Sequence, residues 1–265
     1  MLRTGVTYEF RKASAFRAGF LVREVIRGVE RVAVMTFVYF ALFRSAGVDV
    51  IRGWTLPQMI QYLILLATIQ KIMFTERTLD LADQIFDGYI TKYMVMPIRY
   101  FTLVLARWIQ FTAVQLAVAT AFWCAGALLV PRWWPMPASA LALIEAVALV
   151  LLASYCFLLL FFIINSLAFW LGLVWTLLGM SRMIMSFLMG DPVPVSLYPD
   201  AFQRVLPWLF PYWAMSGPID IFLGRTGTDS FLRGLCVLGA SIVVLQCIAL
   251  VVWRRGLRQY GGSGM

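Results

Sequence analysis

The residue types that most enzymes use for chemistry are scarce in this chain or wrongly spaced for it. The 265 residues include no histidine, which excludes histidine base catalysis and histidine metal sites. The three lysines, Lys12, Lys71 and Lys92, are followed by alanine, isoleucine and tyrosine. A P-loop needs serine or threonine after its lysine, so the chain does not hydrolyse ATP by that route.

The four cysteines do not form a recognisable site either. They lie within apolar runs and contain no C-x-x-C pair: Cys124, Cys156, Cys236 and Cys247. Buried small side chains are the simplest interpretation of such cysteines. The sequence therefore predicts no catalytic residue, no metal site and no enzymatic activity on this chain.

Two charges interrupt the long apolar block from residue 138 to residue 190, namely Glu145 and Arg182. Charged residues inside a membrane segment are functional candidates by default. Measured from a chain reversal near 163–166, the two lie at nearly the same depth, so we expect them to pair across a helical hairpin. The pair could be purely structural, or it could contact a substrate.

The composition indicates where these residues must sit. Hydrophobic residues make up 62% of the chain, charged residues make up 13%, and the mean hydropathy is +0.84. Soluble domains are about 45–50% apolar and roughly 25% charged. The sequence therefore predicts an all-α integral membrane protein rather than a soluble domain.

About 20 apolar residues cross a bilayer, and the apolar runs divide on this basis into six predicted spans. An N-terminal amphipathic interfacial helix over 1–28 precedes them, a cytoplasmic segment over 76–99 follows the second, and a proline-rich outer re-entrant segment over 191–224 follows the fifth. The spans cover about 29–43, 56–75, 100–130, 138–162, 167–190 and 231–253.

Positive charge gives the predicted orientation. The two termini and the segment after the second span carry fourteen basic residues, and the opposite side carries six. Because cytoplasmic loops are enriched in lysine and arginine, both termini are predicted to be cytoplasmic. The net charge of +9 then reflects membrane topology, and nucleic acid is not an expected partner.

The cytoplasmic segment contains a second regular pattern. Apolar residues from Leu79 to Tyr93 recur at helical spacing, which predicts one short helix. Such a helix can present an aromatic face to a groove in a partner, or it can lie on membrane lipid. Asp80, Asp83 and Asp87 weigh against lipid, because the cytoplasmic leaflet is itself negative.

The same segment ends in a run from Gly88 to Pro97, with the pattern Gly-x-Ile-x-x-Tyr-x-x-x-Pro. With a surface helix and two spans before it, this run resembles the permease subunits of ATP-binding-cassette exporters, in the type-two, six-span branch that includes daunorubicin-resistance-like permeases. Three later segments resemble the same family, at 166–170, 194–224 and 253–260. The resemblance covers essentially the whole chain.

The resemblance implies a permease that pairs with a second copy or a related chain, and with separate ATPase subunits that hold ATP and Mg²⁺. It implies a bacterial cytoplasmic (inner) membrane location and export of a lipid, drug or lipid-linked glycan. A channel or structural membrane subunit is the alternative. The residues that would contact the ATPase are Asp83, Phe86, Asp87, Gly88, Tyr89, Ile90, Tyr93 and Pro97.

Aromatic and methionine side chains supply two further candidates. Trp208, Tyr212 and Trp213 are either interfacial anchors or an outer gate over the exit. Methionines in the fifth predicted span form either ordinary packing or an adaptable apolar surface for a substrate. These are Met180, Met183, Met185 and Met189.

Overall fold

The computed structural model describes residues 17–73, 81–95, 99–129 and 134–263, and this part of the chain confirms the all-α prediction. One small hairpin is added to the helices. The elements are α1 (Arg17–Ala46), β1 (Val50–Ile51), β2 (Trp54–Thr55), α2 (Leu56–Met73), α3 (Leu81–Phe86), α4 (Ile90–Val95), α5 (Tyr100–Leu129), α6 (Ala140–Ser166), α7 (Ala168–Leu171), α8 (Trp175–Met189), α9 (Asp200–Val205), α10 (Ser216–Phe222) and α11 (Thr228–Ser263).

Several of these helices suit a membrane. By length and composition, three could cross one: Tyr100–Leu129, Ala140–Leu171 and Thr228–Tyr260. Two other apolar helices are shorter, Val32–Ala46 and Trp175–Met189. These helices indicate a multi-pass membrane protein, and the count of six spans stays a prediction.

The central helix is α6. Its most apolar stretch is 61% buried, against 17% for α5 and 11% for α11. A helix that is hydrophobic all round belongs inside a bundle, and α6 contacts α2, α10 and α11. It begins where the Ser139 hydroxyl accepts a hydrogen bond from the Ala142 N–H at 3.0 Å, an ordinary N-cap.

The predicted surface helix over 1–28 leads directly into the predicted span over 29–43. In the described residues the two share one continuous helix, Arg17–Ala46, and the boundary between them stays a prediction. No proline lies in this stretch, and an isolated glycine such as Gly28 is tolerated inside a helix. The first sixteen residues of the predicted surface helix lie outside the described part of the chain.

The reversal between the fourth and fifth spans is misplaced in the prediction. The chain does not turn back near 163–166. After a one-residue turn at Leu167, whose backbone keeps helical angles, α7 continues to Leu171, and the chain leaves the helix at Gly172, whose φ is 70°. Glycine adopts this left-handed conformation at little cost, so Gly172 ends the helix where an apolar pattern alone shows no break.

The later turn shortens the fifth apolar helix to Trp175–Met189, which has 15 residues. At 1.5 Å per residue it is about 22 Å long, shorter than the hydrocarbon core of a bilayer. The segment that follows begins at Gly190 and Asp191, which bond to Tyr62 and Gln70 of α2. The re-entrant course over 191–224 stays a prediction. Its 3-10 turns lie at Val195–Leu197, Leu206–Trp208 and Tyr212–Ala214.

The loop after α1 contains the small hairpin, which the sequence did not predict. Val50 pairs with Thr55, and Ile51 pairs with Trp54. Arg52 and Gly53 between them have φ values of 45° and 80°, as a type I′ turn requires. The hairpin thereby places the Trp54 side chain, fully buried, at the start of α2.

Candidate functional site

The segment predicted to be cytoplasmic is two short helices rather than the single helix predicted from Leu79 to Tyr93. Helix α3 ends at Phe86, and α4 begins at Ile90. Gly88 between them has a φ of 78°, which is left-handed and interrupts the helix. Leu79 and Pro97 lie outside the described residues. The glycine converts a straight helix into a bent segment with an exposed corner.

One side of this segment is fixed to the helical bundle. Leu81, Ile85 and Ile90 are buried. The Ala82 N–H donates to the Asn165 side-chain oxygen at 3.3 Å, and the Asn165 amide donates in turn to the Phe161 carbonyl at 2.8 Å. The segment is therefore attached to the last turn of the central helix α6. We call this end of the bundle the inner end.

The corner itself faces outward. Phe86 is 60% exposed and Tyr89 is 66% exposed, and Asp87 is exposed between them. We call Phe86, Asp87, Gly88 and Tyr89 the coupling surface. Large exposed aromatic side chains beside a carboxylate are typical of a surface that a partner covers.

The other predicted coupling residues lie elsewhere. Asp83 is half-buried, and its carbonyl accepts a hydrogen bond from the Asp87 N–H at 2.8 Å. Ile90 is buried in the core, and Tyr93 packs edge-on against Tyr100 at 5.1 Å between ring centroids. These three residues position the corner from behind, so the structure does not bring all the predicted residues onto one surface.

Behind the coupling surface lies a group of six aromatic rings, the aromatic cluster. It joins α4 to the bundle through α5, α6, α7 and α11. Ring centroids are 5.2 to 5.9 Å apart at the contacts of Trp253 with Tyr100, Phe162 and Phe169, and of Phe169 with Tyr260. The members are Tyr93, Tyr100, Phe162, Phe169, Trp253 and Tyr260.

Between α2 and the end of α8 lies a buried polar group that sequence reasoning missed. The Gln70 amide and the Ser186 hydroxyl both donate to the Asp191 carboxylate, the latter at 2.8 Å. Both Gln70 and Asp191 are 8% exposed. Their partners lie up to 121 positions apart in the chain, so no local pattern marks them.

A second set of hydrogen bonds extends this polar group. The Tyr62 hydroxyl donates to the Gly190 carbonyl at 2.7 Å and lies 3.1 Å from the Ser216 hydroxyl. Ser216 donates to the Met189 carbonyl at 2.9 Å. We call Tyr62, Gln70, Ser186, Asp191 and Ser216 the outer cluster. It ties α2 and α10 to the end of α8.

The outer rim is held by charge and aromatic contacts. The Arg225 guanidinium lies 3.8 Å from the Trp54 ring centroid and 3.7 Å from the Asp220 carboxylate. Burial raises the pKa of Asp220 from 3.8 to about 6, and Arg225 and a bond from Tyr212 lower it in part. Burial also raises the pKa of Tyr212 well above its usual range.

The three predicted gate residues do not share one environment. Trp208 is 66% exposed and lies under Arg233, at 4.3 Å from the guanidinium carbon to the ring centroid. Trp213 is buried, and its indole N–H donates to the Pro207 carbonyl at 2.9 Å. Tyr212 packs edge-on against Trp213 at 5.0 Å. Trp213 therefore packs in the core, and both the interfacial anchor and the gate stay predictions.

The structure removes the main argument for a pairing of Glu145 with Arg182. Glu145 is 6% exposed, whereas Arg182 is exposed. With the reversal at Gly172 rather than near 163–166, the two residues are no longer equally far from the turn. The pairing stays a prediction without its argument from depth.

No metal site emerges from the described residues. Within residues 17–73, 81–95, 99–129 and 134–263, no group of three or more cysteine, aspartate or glutamate side chains could hold a metal ion. The four cysteines are free, and Cys156 alone among them is buried. The features that remain for function are the coupling surface, the outer cluster and the apolar helix faces.

The comparisons with known proteins give one match. Residues 31–264 match the model of a family described as ABC-2 family transporter protein. No curated protein and no solved structure matches the chain. The match begins inside α1 and takes in both the inner corner and the outer segment.

Proposed function

The chain belongs to the ABC-2 family of transporter proteins, and we propose that it forms the translocation path of an ATP-driven exporter for a hydrophobic or amphiphilic substrate. The substrate class comprises lipids, drugs and lipid-linked glycans. ATP and Mg²⁺ would be held by separate ATPase subunits, since this chain lacks a P-loop lysine. The proposed setting is a bacterial inner membrane, with both termini in the cytoplasm.

The observation that carries the proposal is the coupling surface. Its aromatic side chains, Phe86 and Tyr89, are exposed at a bend whose other side is fixed to α6 through Asn165. An exposed aromatic corner of this kind can bind in a groove of an ATPase and transmit the movement of the ATPase to the helical bundle. Lipid is a poorer partner for it, because Asp87 lies between the rings and the inner leaflet is negative.

The aromatic cluster gives the movement a route into the bundle. A shift of the corner moves Tyr93, which packs on Tyr100 at the start of α5. Tyr100 stacks on Trp253 of α11 at 5.2 Å, with the ring planes 15° apart. Movement at the inner end would thereby tilt the two long, mostly exposed helices α5 and α11 relative to the buried α6.

The fifth apolar helix offers a surface for the substrate or for a second permease. Met180 is 58% exposed and Met183 is 79% exposed on α8, whereas Met189 is fully buried. Flexible thioether side chains adapt to apolar ligands of different shape. We propose that this face lines the path between this chain and a second copy or a related permease.

Binding of an ATPase tests the proposal. The full-length chain is co-expressed with candidate ATP-binding-cassette ATPases, beginning with any encoded beside its gene, and the complex is purified. We expect F86A and Y89A together to abolish co-purification, because the two anchors of the interface are removed. F202A removes an exposed aromatic ring from the outer segment and should leave binding unchanged.

A different result would support the alternative of a channel or structural subunit. If no ATPase co-purifies with the unaltered chain, or if F86A with Y89A binds as well as F202A, the coupling surface has another use. Stimulation of ATPase activity by reconstituted permease provides an independent readout. The account requires it in the unaltered protein and its loss in the double variant.

A further inference from the structure

A cavity of about 330 Å³ lies between α1, α2 and α5. Ligand sites in proteins range from roughly 300 to 1,000 Å³, so this volume suits a slender ligand. Its walls include Ala33 of α1, Ala67 and Lys71 of α2, and Ala119 of α5, and Trp134 also contributes to them. The cavity therefore runs alongside the helices rather than across them.

Small side chains create the space. Ala33, Ala67 and Ala119 each come from a different helix and line the same cavity. Alanine leaves a gap where a leucine or phenylalanine would fill the contact between helices. Ala33 is exposed, so the cavity opens at the surface of the bundle, where a ligand can enter it from the side.

The walls indicate that the occupant is hydrocarbon. Most of the lining side chains are apolar, and the hydroxyl of Thr68 already donates to the Ile64 carbonyl at 2.8 Å. A buried water needs two to four polar partners, and large apolar cavities stay dry. An acyl chain from the surrounding bilayer makes apolar contacts with such walls, whereas water would lack hydrogen-bond partners there.

One end of the cavity also carries a charge. Lys71 is the single charged residue among those that line it, and it lies in the last turn of α2. That turn faces the predicted cytoplasmic side, where the leaflet contains anionic lipids. A long lysine stem lies along apolar surface while its ammonium group reaches the headgroup region.

We propose that this cavity binds one acyl chain of an anionic phospholipid from the inner leaflet, with the headgroup beside Lys71. The chain of the lipid would rise from Lys71 towards Trp134. This inference rests on the proposed orientation, but binding at this site requires neither an ATPase nor transport. The lipid would fill the space between α1, α2 and α5 and hold them together.

Photochemical labelling in nanodiscs tests the site on the unaltered, full-length chain. The probe is phosphatidylglycerol with a photoreactive acyl chain, diluted into phosphatidylcholine, and the labelled peptides are mapped by mass spectrometry. We expect labels to concentrate within 64–71 and 115–122. Labels spread evenly over the exposed helix faces would overturn the proposal, as would a cavity filled by a second copy, detected as links between chains at these positions.

Variants sharpen the result. A119F fills the cavity and should remove these labels, whereas A117F places the same side chain on an exposed position of α5 and should not. K71Q should lower labelling by the phosphatidylglycerol probe about fivefold relative to a phosphatidylcholine probe, the effect of one cation near an anionic surface. Equal labelling of A119F and A117F contradicts the site, and A67L decides the matter if A119F does not fold.

Discussion

The outer cluster and the aromatic cluster are held together by different kinds of contact. In the outer cluster, buried hydrogen bonds with defined donors and acceptors join Tyr62, Gln70 and Asp191 to neighbouring segments. In the aromatic cluster, stacked and edge-on rings around Trp253 make the connections. Hydrogen bonds weaken steeply when their geometry changes, whereas ring contacts tolerate several arrangements.

This difference indicates that one cluster resists movement and the other permits it. The outer cluster keeps its shape, because a displaced segment would leave buried polar groups without partners. The aromatic cluster can shift as a unit behind the coupling surface while its rings stay in contact. The proposed exporter would use this arrangement, because movement would enter through the coupling surface while the outer cluster held its shape.

The largest expected effect comes from closing the space beside Gly190. Its φ is 83°, and a Cβ there would lie 2.2 Å from the Ser216 hydroxyl oxygen and 3.1 Å from that of Tyr62. G190A combines a left-handed alanine with overpacking, so we expect a loss of about 4 kcal/mol in unfolding free energy. Denaturation of the purified protein in detergent measures it, and a loss below that of G88A contradicts a rigid outer cluster.

The second-largest expected effect is a pH dependence of the unfolding free energy that is caused by Asp220. Because the pKa of Asp220 is about 6 in the folded protein, against 3.8 when unperturbed, the folded state binds the proton more tightly. The stabilisation is fully present below about pH 4 and is lost as the pH rises through about 6, which amounts to about 3 kcal/mol. D220N should remove this part of the pH dependence of thermal unfolding, and an unchanged profile contradicts it.

A smaller loss is expected from one hydroxyl of the outer cluster. Y62F leaves the Gly190 carbonyl without the donor that now lies at 2.7 Å. Since the group is buried, we expect about 2 kcal/mol less stability with the fold retained. Y89F removes the hydroxyl of an exposed tyrosine at the coupling surface and serves as the control. Similar losses of stability in Y62F and Y89F would mean that the outer cluster and the coupling surface do not differ in this respect.

The smallest loss of unfolding free energy is expected for a substitution of Gly88. Gly88 has a φ of 78°, but a Cβ added there would lie 3.6 Å from the Tyr260 hydroxyl oxygen, which is an ordinary contact. G88A should therefore cost only the conformational strain, about 1 to 2 kcal/mol. The same unfolding measurement as for G190A gives a direct comparison of strain with and without crowding.

The sequence predicted the features that depend on long apolar runs and missed those that depend on single residues. Helices α2 and α5 begin at Leu56 and Tyr100, where hydropathy places them. The breaks at Gly88 and Gly172 were not predicted, because an isolated glycine in a helical pattern is ambiguous. Only the structure shows that both adopt a positive φ.

The candidate sites divide in the same way. The helical pattern singled out Phe86 and Tyr89, which are exposed, together with Ile90, which is buried, so the pattern alone did not separate the exposed corner from its support. The outer cluster was not, because Gln70 and Asp191 meet only after distant segments pack. The pair of Glu145 and Arg182 was argued from a turn position that the apolar pattern could not fix.

The most direct test of the central claim is site-specific cross-linking at the coupling surface. A photoreactive amino acid replaces Tyr89 in one sample and Phe202, on the outer segment, in another, each in the full-length chain with its ATPase in nanodiscs. The account predicts a cross-link to the ATPase from position 89, changed in yield by ATP, and none from position 202. A complex that forms without any cross-link from position 89 would contradict it.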